Sequence, residues 1–260
     1  MKKLWLLTCI IIGVCISMMA CDKKNAYENS ENATPAEETS ISINASVTEQ
    51  TLEVVPGMVS KEDEEQILSL IKDFTESAKN KDYESVLPYY AIESYIDGYN
   101  MEIAKENFGD LAIQPTIDDR IQDVASRYTI FVIGLVAEEM SEEGTNILNA
   151  EDLKGIANEI DIANLAVKRI DIPMVEVLTS DQHRNILTKQ CNRYGSENIT
   201  YRTVLYEIDG NTYYCGFTLY CYGGMWEIFE LACHLVPMDT SIVTIPCNEK
   251  EYLEMIGEEL

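Results

Sequence analysis

Basic residues and histidine are scarce in this 260-residue chain. Nineteen lysines and arginines oppose 45 aspartates and glutamates, which gives a formal net charge of −26, and there are only two histidines, His183 and His234. Nucleic-acid binding depends on Lys and Arg neutralising phosphates, so this composition excludes a nucleic-acid partner. The same charge repels anionic lipid headgroups, which argues against electrostatic attachment to a membrane surface.

Sequence motifs for metals, phosphates and cofactors are also absent. No Cys-x-x-Cys or His-x-x-x-His pair occurs in the sequence, which argues against a zinc site. The paired acids lack the spaced ligands of a calcium loop and suit a solvated face; they are Asp118-Asp119, Glu138-Glu139 and Glu142-Glu143. Gly223-Gly224 suits a turn rather than a phosphate-binding loop. We therefore expect no metal, no cofactor and no catalytic residue.

The N-terminus has the layout of an export signal. Residues 1–3 are a positively charged Met-Lys-Lys start, residues 4–20 form an apolar run, and Cys21 follows the small residue Ala20. A membrane-spanning helix is the alternative, and a run of 17 residues is at the short limit for it. Under either interpretation the chain is attached to a membrane and its globular part lies outside the cytoplasm.

The end of the apolar run resembles the lipobox of bacterial lipoproteins. Ala20 and Cys21 match that motif, Met18 is an apolar substitute within it, and Met19 departs from it. The resemblance implies that residues 1–20 are a lipoprotein signal peptide removed before Cys21. It also implies a diacylglyceryl thioether on Cys21, and two acyl chains hold a protein at a membrane far more firmly than one.

The segment after Cys21 has the composition of a tether. Residues 22–59 are rich in Glu, Asn, Ser, Thr and Ala and carry seven acids against two bases. Such a segment cannot bury enough apolar area to offset its ordering entropy. We expect residues 21–59 to be a lipid-anchored disordered tether. Residues 60–260 hold 15 bases and 38 acids and suit one enlarged domain.

Hydrophobic spacing predicts several helices in this domain. Ser60 followed by Asp63 is typical of a helix N-cap, and apolar residues then recur at helical spacing over residues 61–79. From residue 117 the spacing is helical, but residues 130–137 also suit a buried strand, and both alternatives stay open. Further helices are predicted at residues 83–91, 101–108, 150–160 and 181–194.

The C-terminal part is predicted as an antiparallel meander. Its turns are Asp209-Gly210 and Gly223-Gly224, which suit hairpins that need positive φ. A two-residue turn at Gly223-Gly224 places Cys221 opposite Trp226, and facing side chains share one face of the sheet. The predicted strands, rich in β-branched and aromatic residues, are residues 201–208, 212–222 and 225–234, with a further strand at 165–172.

This register divides the side chains between two faces. The face expected to form the core holds Val204, Tyr206, Ile208, Tyr213, Cys215, Phe217, Leu219, Cys221, Trp226, Ile228 and Ala232. The second face mixes charge with aromatic rings and is expected to be half exposed; it holds Leu205, Glu207, Tyr214, Thr218, Tyr220, Tyr222, Met225, Glu227, Phe229 and Leu231.

The helical opening and the final hairpins together resemble the NTF2-like superfamily, the cone-shaped α+β fold shared with SnoaL-type proteins. Uncharacterised lipoproteins of Gram-positive anaerobes look similar in the ending. The resemblance implies an α+β fold in which N-terminal helices pack on a C-terminal antiparallel meander, as an NTF2-like cone. The residues that carry it are 67–74 with 80–84, and 205–214 with 223–228.

Enzymes of this superfamily place an acid and a tyrosine inside the cone for proton transfer at carbon. In this sequence Glu230 and Tyr206 fall on the inferred interior face. A carboxylate buried there would have a raised pKa and would act as a base. We favour the alternative interpretation, in which Tyr206 is part of the core and Glu230 lies near a strand end, in contact with water.

The remaining cysteines are expected to be mainly free, buried thiols, although a Cys233–Cys247 bridge stays open. Cys215 and Cys221 share a face but lie roughly 20 Å apart along one strand, and bridged cysteines need Cα atoms within about 7 Å. His234 and Cys233 are neighbours on a strand and point to opposite faces, so they cannot form a nucleophile–base pair. His183 is expected to be solvated on a polar helix.

These features favour a non-enzymatic binding or interaction module, anchored by lipid on the extracytoplasmic side of the cell membrane. The alternatives are a SnoaL-like isomerase or hydrolase acting on a small apolar ligand, and an importer's solute receptor, for whose two lobes the domain is too small. A closed core or a small apolar pocket is expected at Tyr206, Phe217, Trp226 and Ile228. A surface for a protein partner or a second copy is expected at Tyr214, Tyr220, Tyr222 and Phe229.

The lipid anchor can be tested by metabolic labelling of cells with radioactive palmitate. We expect the wild-type chain to be labelled and the Cys21→Ala chain to lose the label, because Cys21 is the one cysteine preceded by a small residue at the end of the apolar run. Cys15→Ala is the control and should stay labelled, since Val14 is too large for a cleavage site. Equal labelling of all three chains would refute the anchor.

Overall fold

The computed structural model describes residues 57–135, 155, 157–236 and 243–258, all of which fall in the unit Val54–Leu260. The predicted signal peptide, Cys21 and most of the predicted tether lie outside the described residues. So do residues 136–137 and the start of the helix predicted at 150–160. Over the described ranges, no helix combines the length and the hydropathy needed to cross a membrane.

Helices make up the first part of the domain, as predicted. Ser60 and Asp63 form a reciprocal capping box at the first helix. Of residues 130–137, for which helix and strand stayed open, residues 130–134 are helical, as the end of a helix that runs from Ile117 to Gly134. The α-helices are α1 Lys61–Ala78, α2 Glu93–Gly98, α3 Met101–Phe108, α4 Ile117–Gly134, α5 Val175–Leu178, α6 Asp181–Tyr194 and α7 Glu249–Ile256, and residues 157–159 are also helical.

The short helix predicted at residues 83–91 is replaced by two 3₁₀ turns, Tyr83–Ser85 and Leu87–Tyr89. Asp82 caps the first of them, as its side chain accepts a hydrogen bond from the backbone N–H of Glu84 at 3.1 Å. Pro88 sits in the second turn. Because proline has no N–H and clashes with the preceding helical turn, one continuous α-helix cannot run through it.

The sheet is antiparallel throughout, with the order β1-β2-β3-β4. The short strand β5 pairs with the start of β3, at Tyr213–Cys215, whereas β4 pairs with its end. The strands are β1 Ala166–Asp171, β2 Asn198–Ile208, β3 Asn211–Tyr222, β4 Met225–Glu230 and β5 Thr244–Pro246. The predicted α+β class, with helices first and then an antiparallel meander packed against them, is confirmed.

Both predicted hairpin turns have the positive φ that a tight two-residue connection requires. The φ values are 49° at Asp209, 87° at Gly210, 58° at Gly223 and 75° at Gly224. The second turn sets the predicted register, with Cys221 opposite Trp226. A bulge between Thr218 and Leu219 then shifts the pairing.

The bulge changes the end of the meander. The strand β4 stops at Glu230 rather than at the predicted residue 234. Leu231, predicted on the second face, lies in the first core instead. A bulge adds a residue to one strand, so every side chain beyond it changes its relation to the partner strand.

Helices cover both faces of the sheet. On the first face α1 and α4 bury Ile67, Ile71, Phe74, Val124 and Phe131 against β2 and β3. On the second face α6 and α7 bury Leu187, Cys191, Tyr194, Tyr252 and Ile256 against the same two strands. The expectation of a half-exposed second face is therefore wrong. Its physical reason is the apolar stripe on α6, which needs a surface to cover and finds it on the sheet.

Residues 57–59, which precede the predicted start of the domain, contact it. The Asn198 side chain accepts a hydrogen bond from the Gly57 N–H at 2.9 Å and donates one to the Met58 carbonyl at 2.7 Å. Val59 packs against the first core. Residues 57–59, predicted as the end of the tether, thus belong to the domain.

Candidate functional site

The residues predicted to line a core or a pocket form a closed core. Tyr206, Phe217, Trp226 and Ile228 are each at most 4% exposed. Phe74 of α1 fills the space between helix and sheet, with its ring centroid 5.7 Å from those of Phe131 and Phe217. The polar ends are partnered: the Tyr206 hydroxyl lies 3.1 Å from Thr75 Oγ1, and the Trp226 indole N–H donates to Asp63 at 2.8 Å. These contacts leave no opening for a ligand between the four side chains.

The predicted partner surface is also buried, so it is not a surface. Tyr214, Tyr220 and Phe229 are at most 8% exposed and Tyr222 is half-buried. Their rings meet rings of the covering helices, with centroid distances of 5.6 Å for Tyr194–Tyr220, 6.3 Å for Tyr214–Tyr252 and 5.4 Å for Tyr95–Phe229. Aromatic contacts of this kind are typical of a packed interior.

Glu230 is the centre of a buried charge cluster at the end of β4. It is 3% exposed, so the expected contact with water is wrong. One carboxylate oxygen lies 2.6 Å from His234 Nε2, and the other lies 3.2 Å from a terminal nitrogen of Arg127. The bulge and the end of the strand bring this carboxylate between the sheet and α4.

Helix α4 supplies the two arginines of this cluster from one face. The guanidinium of Arg127 bonds both oxygens of Asp123 at 3.1 Å, and Arg120 bonds the same carboxylate at 2.7 Å. Arg120 also donates to the backbone carbonyls of Ala91 and Phe229, and it lies over the Phe229 ring, 4.7 Å from its centroid. Residues three, four and seven apart share a helix face, which explains why these side chains meet.

The charges shift the pKa values of the central pair in opposite directions. Burial alone would raise the pKa of Glu230, but Arg127, His234 and Arg120 outweigh it and hold this pKa below its usual value of 4.5. Burial alone would lower the pKa of His234, but the hydrogen bond and the charge of Glu230 raise it above 6.5. The cluster therefore favours a carboxylate beside an imidazolium.

This arrangement differs from the acid and tyrosine expected of an NTF2-like enzyme. The Tyr206 hydroxyl is bonded to Thr75, whereas Glu230 is bonded to Arg127 and His234. The pKa of Glu230 is lowered rather than raised, so it is a weaker base than that scheme needs. What the geometry does offer is a histidine, 37% exposed, whose ring is oriented by a buried carboxylate.

Sequence reasoning missed Arg120 and Arg127, and it placed His183 wrongly. The signal for the arginines was their spacing around Asp123 on a helix that also carries apolar residues. His183 was expected to be solvated, but it is 8% exposed and its ring centroid lies 5.8 Å from that of Tyr201. Burial lowers the pKa of His183. Its helical spacing to the buried residues Leu187 and Cys191 could have predicted this position.

The cysteines of the domain are buried and unbridged, which confirms the expectation of mainly free thiols. The described free cysteines are Cys191, Cys215, Cys221, Cys233 and Cys247. The Cys233–Cys247 bridge that was left open is not formed. Burial raises the pKa of Cys233 to about 12, so its thiol stays protonated and unreactive near neutral pH. Across the described ranges, no group of three or more His, Cys, Asp or Glu side chains is placed to hold a metal ion.

The two most exposed large apolar side chains of the described chain, Leu111 and Ile113, lie in one connection, and the exposed Ile117 follows them at the start of α4. Leu111 is 84% exposed, Ile113 is 77% exposed and Ile117 is 44% exposed. They belong to the segment between α3 and the first turn of α4, and we call residues 109–117 the apolar loop. A cluster of exposed apolar side chains on a loop is more typical of a contact surface than a single exposed residue is.

No family model matches the chain, and no curated protein matches it. Among solved structures, the chain is similar to a cystatin-like protein from Ruminococcus gnavus, with 15% sequence identity and a TM-score of 0.43. The match covers 73% of this chain and 48% of that one, so the chain spans about half the length of that protein.

Removing one partner of the buried cluster should destabilise the fold strongly. We expect Arg127→Met to lower the free energy of unfolding by about 3–5 kcal/mol, because it leaves the buried Glu230 carboxylate without its closest guanidinium. The matched control is Arg184→Met on α6, whose partner Asp181 is 90% exposed; there we expect a change within about 1 kcal/mol. Urea unfolding followed by circular dichroism measures both, and equal effects of the two substitutions would contradict the cluster.

The contribution of His234 to stability should depend on pH. Its pKa is raised in the folded state, so the stabilisation is complete below the unfolded value near 6.5 and is lost as pH rises through the folded pKa. The pKa of Glu230 is lowered, so its own contribution is present above 4.5 and lost in acid. We expect the difference in urea midpoint between wild type and His234→Gln to be largest between pH 5 and 6.5 and to shrink by pH 9. A difference that stays constant over this range would rule out the coupling.

Proposed function

We propose that this chain is a lipid-anchored extracytoplasmic protein whose globular domain is a non-enzymatic binding module. The anchor rests on the lipobox-like ending at Cys21, and the domain contains the described residues from Gly57 onward. An NTF2-like origin of the domain is part of the proposal and rests on the order of helices and hairpins. The membrane attachment then fixes where the domain works, and its exposed surface decides what it binds.

The observation that carries the proposal is the apolar loop. Full burial of a large apolar side chain such as Leu111 or Ile113 is more favourable than its exposure to water by roughly 1.5–3 kcal/mol. A binding partner that buries these two side chains would therefore gain this free energy on association. By contrast, the core face is closed and the aromatic second face lies under helices, which leaves neither of them open to a partner.

The charges around the apolar loop indicate the class of partner. Asp110 precedes Leu111, and Asp118 and Asp119 follow Ile117, all of them exposed. These acids would repel an anionic bilayer and also a second copy of a chain whose net charge is −26. We therefore propose a protein partner in the cell envelope, with an apolar recess bordered by neutral or basic residues, rather than the membrane or a homodimer.

A second candidate function is a proton-transfer enzyme of the isomerase or hydrolase type. One observation favours it, the half-exposed His234 ring that Glu230 holds in place. In that case His234 rather than Tyr206 would act on the ligand. The two candidates differ in what they need: the binding module needs the apolar loop and tolerates loss of His234, whereas the enzyme needs His234 and tolerates changes in the loop.

The binding module can be tested by crosslinking in intact cells. We expect a Leu111→Asp/Ile113→Asp chain to lose a specific crosslinked partner at least tenfold, because two charges replace the apolar contact. Met225→Asp is the matched control, since Met225 is 62% exposed but lies in a hairpin away from the loop sequence. Substitutions at such exposed positions change stability by only about 0.5 kcal/mol. Equal recovery of every crosslinked protein from the wild type, the double variant and the control would contradict the proposal.

A further inference from the structure

An apolar recess lies between the C-terminal helix α7 and the segment before α5. It is an open groove of about 580 Å³, within the range of about 300–1,000 Å³ that ligand sites occupy. Met174, Leu235 and Met255 supply half-buried apolar side chains to it, and Glu251 and Glu254 supply two exposed carboxylates. We call these five residues the α7 groove.

The two sides of the α7 groove are fixed to one another. The Met174 N–H donates to the Ile256 carbonyl at 2.9 Å, and the Val177 N–H donates to the Met174 carbonyl at 2.8 Å. Met174 itself has φ 43° and ψ 57°, a left-handed conformation that costs a bulky side chain about 1–3 kcal/mol. The surrounding hydrogen bonds hold it there. The recess is therefore a formed feature of the fold.

Two exposed apolar side chains lie close in sequence to Met174, which lines the groove. Ile172 is 41% exposed and Val175 is 54% exposed, on either side of Pro173 and Met174. Two of the three apolar groove residues are methionines, whose flexible thioethers adapt to different apolar partners. Such a surface suits the apolar face of a short helix better than one rigid small molecule.

The charge of the groove selects among apolar occupants. From Glu249 to Glu258 the chain has four acids and one base, a formal charge of −3. Arg169 lies within 3.8 Å of Glu249 and Glu258, whereas Glu254 pairs with the exposed Lys250 at 3.6 Å. Exposed pairs of this kind are worth little, so the groove keeps a negative field that attracts cations.

We infer that the α7 groove binds a basic amphipathic segment of a protein partner, with apolar side chains on Met174, Leu235 and Met255 and with Lys or Arg at Glu251 and Glu254. This site is built by other elements than the apolar loop and goes beyond the proposed function. A second copy of the chain is disfavoured, because its own exposed apolar loop is bordered by acids. Anionic lipid and nucleic acid carry the wrong charge.

The test uses the full chain in phosphatidylcholine nanodiscs and three fluorescent peptides of about 14 residues, long enough for a helix to form on binding. One peptide combines Lys with Leu at helical spacing, one replaces Lys by Glu, and one replaces Leu by Ser. Fluorescence anisotropy measures binding, with empty nanodiscs as the blank. We expect the Lys/Leu peptide to bind at least tenfold more tightly than either of the others, and its affinity to fall as salt rises.

Variants then locate the peptide. At the start of α7 the Asn248 N–H donates a hydrogen bond to the Glu251 carboxylate at 2.8 Å, and a glutamine oxygen can accept the same bond. Glu251→Gln/Glu254→Gln therefore removes both charges and keeps this cap, and we expect it to weaken binding roughly tenfold. Met255→Ser should weaken binding to a similar extent through the apolar contact. Glu102→Gln/Glu106→Gln on α3 is the charge-matched control and should stay within about twofold of wild type.

Several results would overturn the inference. The first is equal binding of the Lys/Leu and Lys/Ser peptides. The second is an equal loss of affinity in the groove variants and in the α3 control. The third is a crosslink between Met255 and a second copy of the chain. The proposed binding module has its own readout, because groove variants should still recover the partner that depends on Leu111 and Ile113. Failure of one site therefore does not imply failure of the other.

Discussion

Burial of the sheet on both faces is the constraint on which the rest of the molecule depends. Along β2 only Glu207 is exposed, and β3 is buried from Tyr213 to Cys221. A sheet with two buried faces needs two layers of helices, and α1 with α4 form one layer while α6 with α7 form the other. The aromatic rings of the second face thus serve as contacts between sheet and helix. Among the described residues, the apolar loop and the α7 groove lie on connections and at the edge of a helix.

The charge cluster at Glu230 is a consequence of the same arrangement. At the end of β4 the contact between the strand and α4 is polar: Arg127 pairs with Glu230, and Arg120 donates to the Phe229 carbonyl. Buried ion pairs add little net stability over apolar residues of the same shape, but an incomplete pair is costly. The cluster therefore fixes the position of α4 against the strand end, and its half-exposed His234 gives that position a dependence on pH.

Much of the fold could be predicted because the relevant signals are local. The Ser60 capping box, the two glycine turns and Gly195, which ends α6 with a positive φ of 66°, each fix a boundary through a few neighbouring residues. The two-residue turn at Gly223-Gly224 also sets the register up to the bulge. Asn248 followed by Glu251 is a capping box of the same kind, and it would have predicted α7, which sequence reasoning passed over.

The candidate site could not be predicted to the same extent, because it depends on packing between distant segments. The spacing of tyrosines on β3 correctly gives the second face, but not whether a helix covers it. The arginine that pairs with Glu230 comes from α4, about a hundred residues earlier in the sequence, and the bulge at Thr218 redirects the end of the meander. The exposed apolar loop and the α7 groove likewise depend on what the neighbouring elements leave uncovered.

Alkylation of native cysteines tests the covered second face most directly. Cys191 and Cys233 lie in the second core, 7% and 1% exposed. In the full native chain treated with iodoacetamide and analysed by peptide mass spectrometry, both should stay unmodified until urea unfolds the domain. Rapid modification of Cys191 and Cys233 under native conditions would mean that α6 does not cover the sheet, and it would contradict the account.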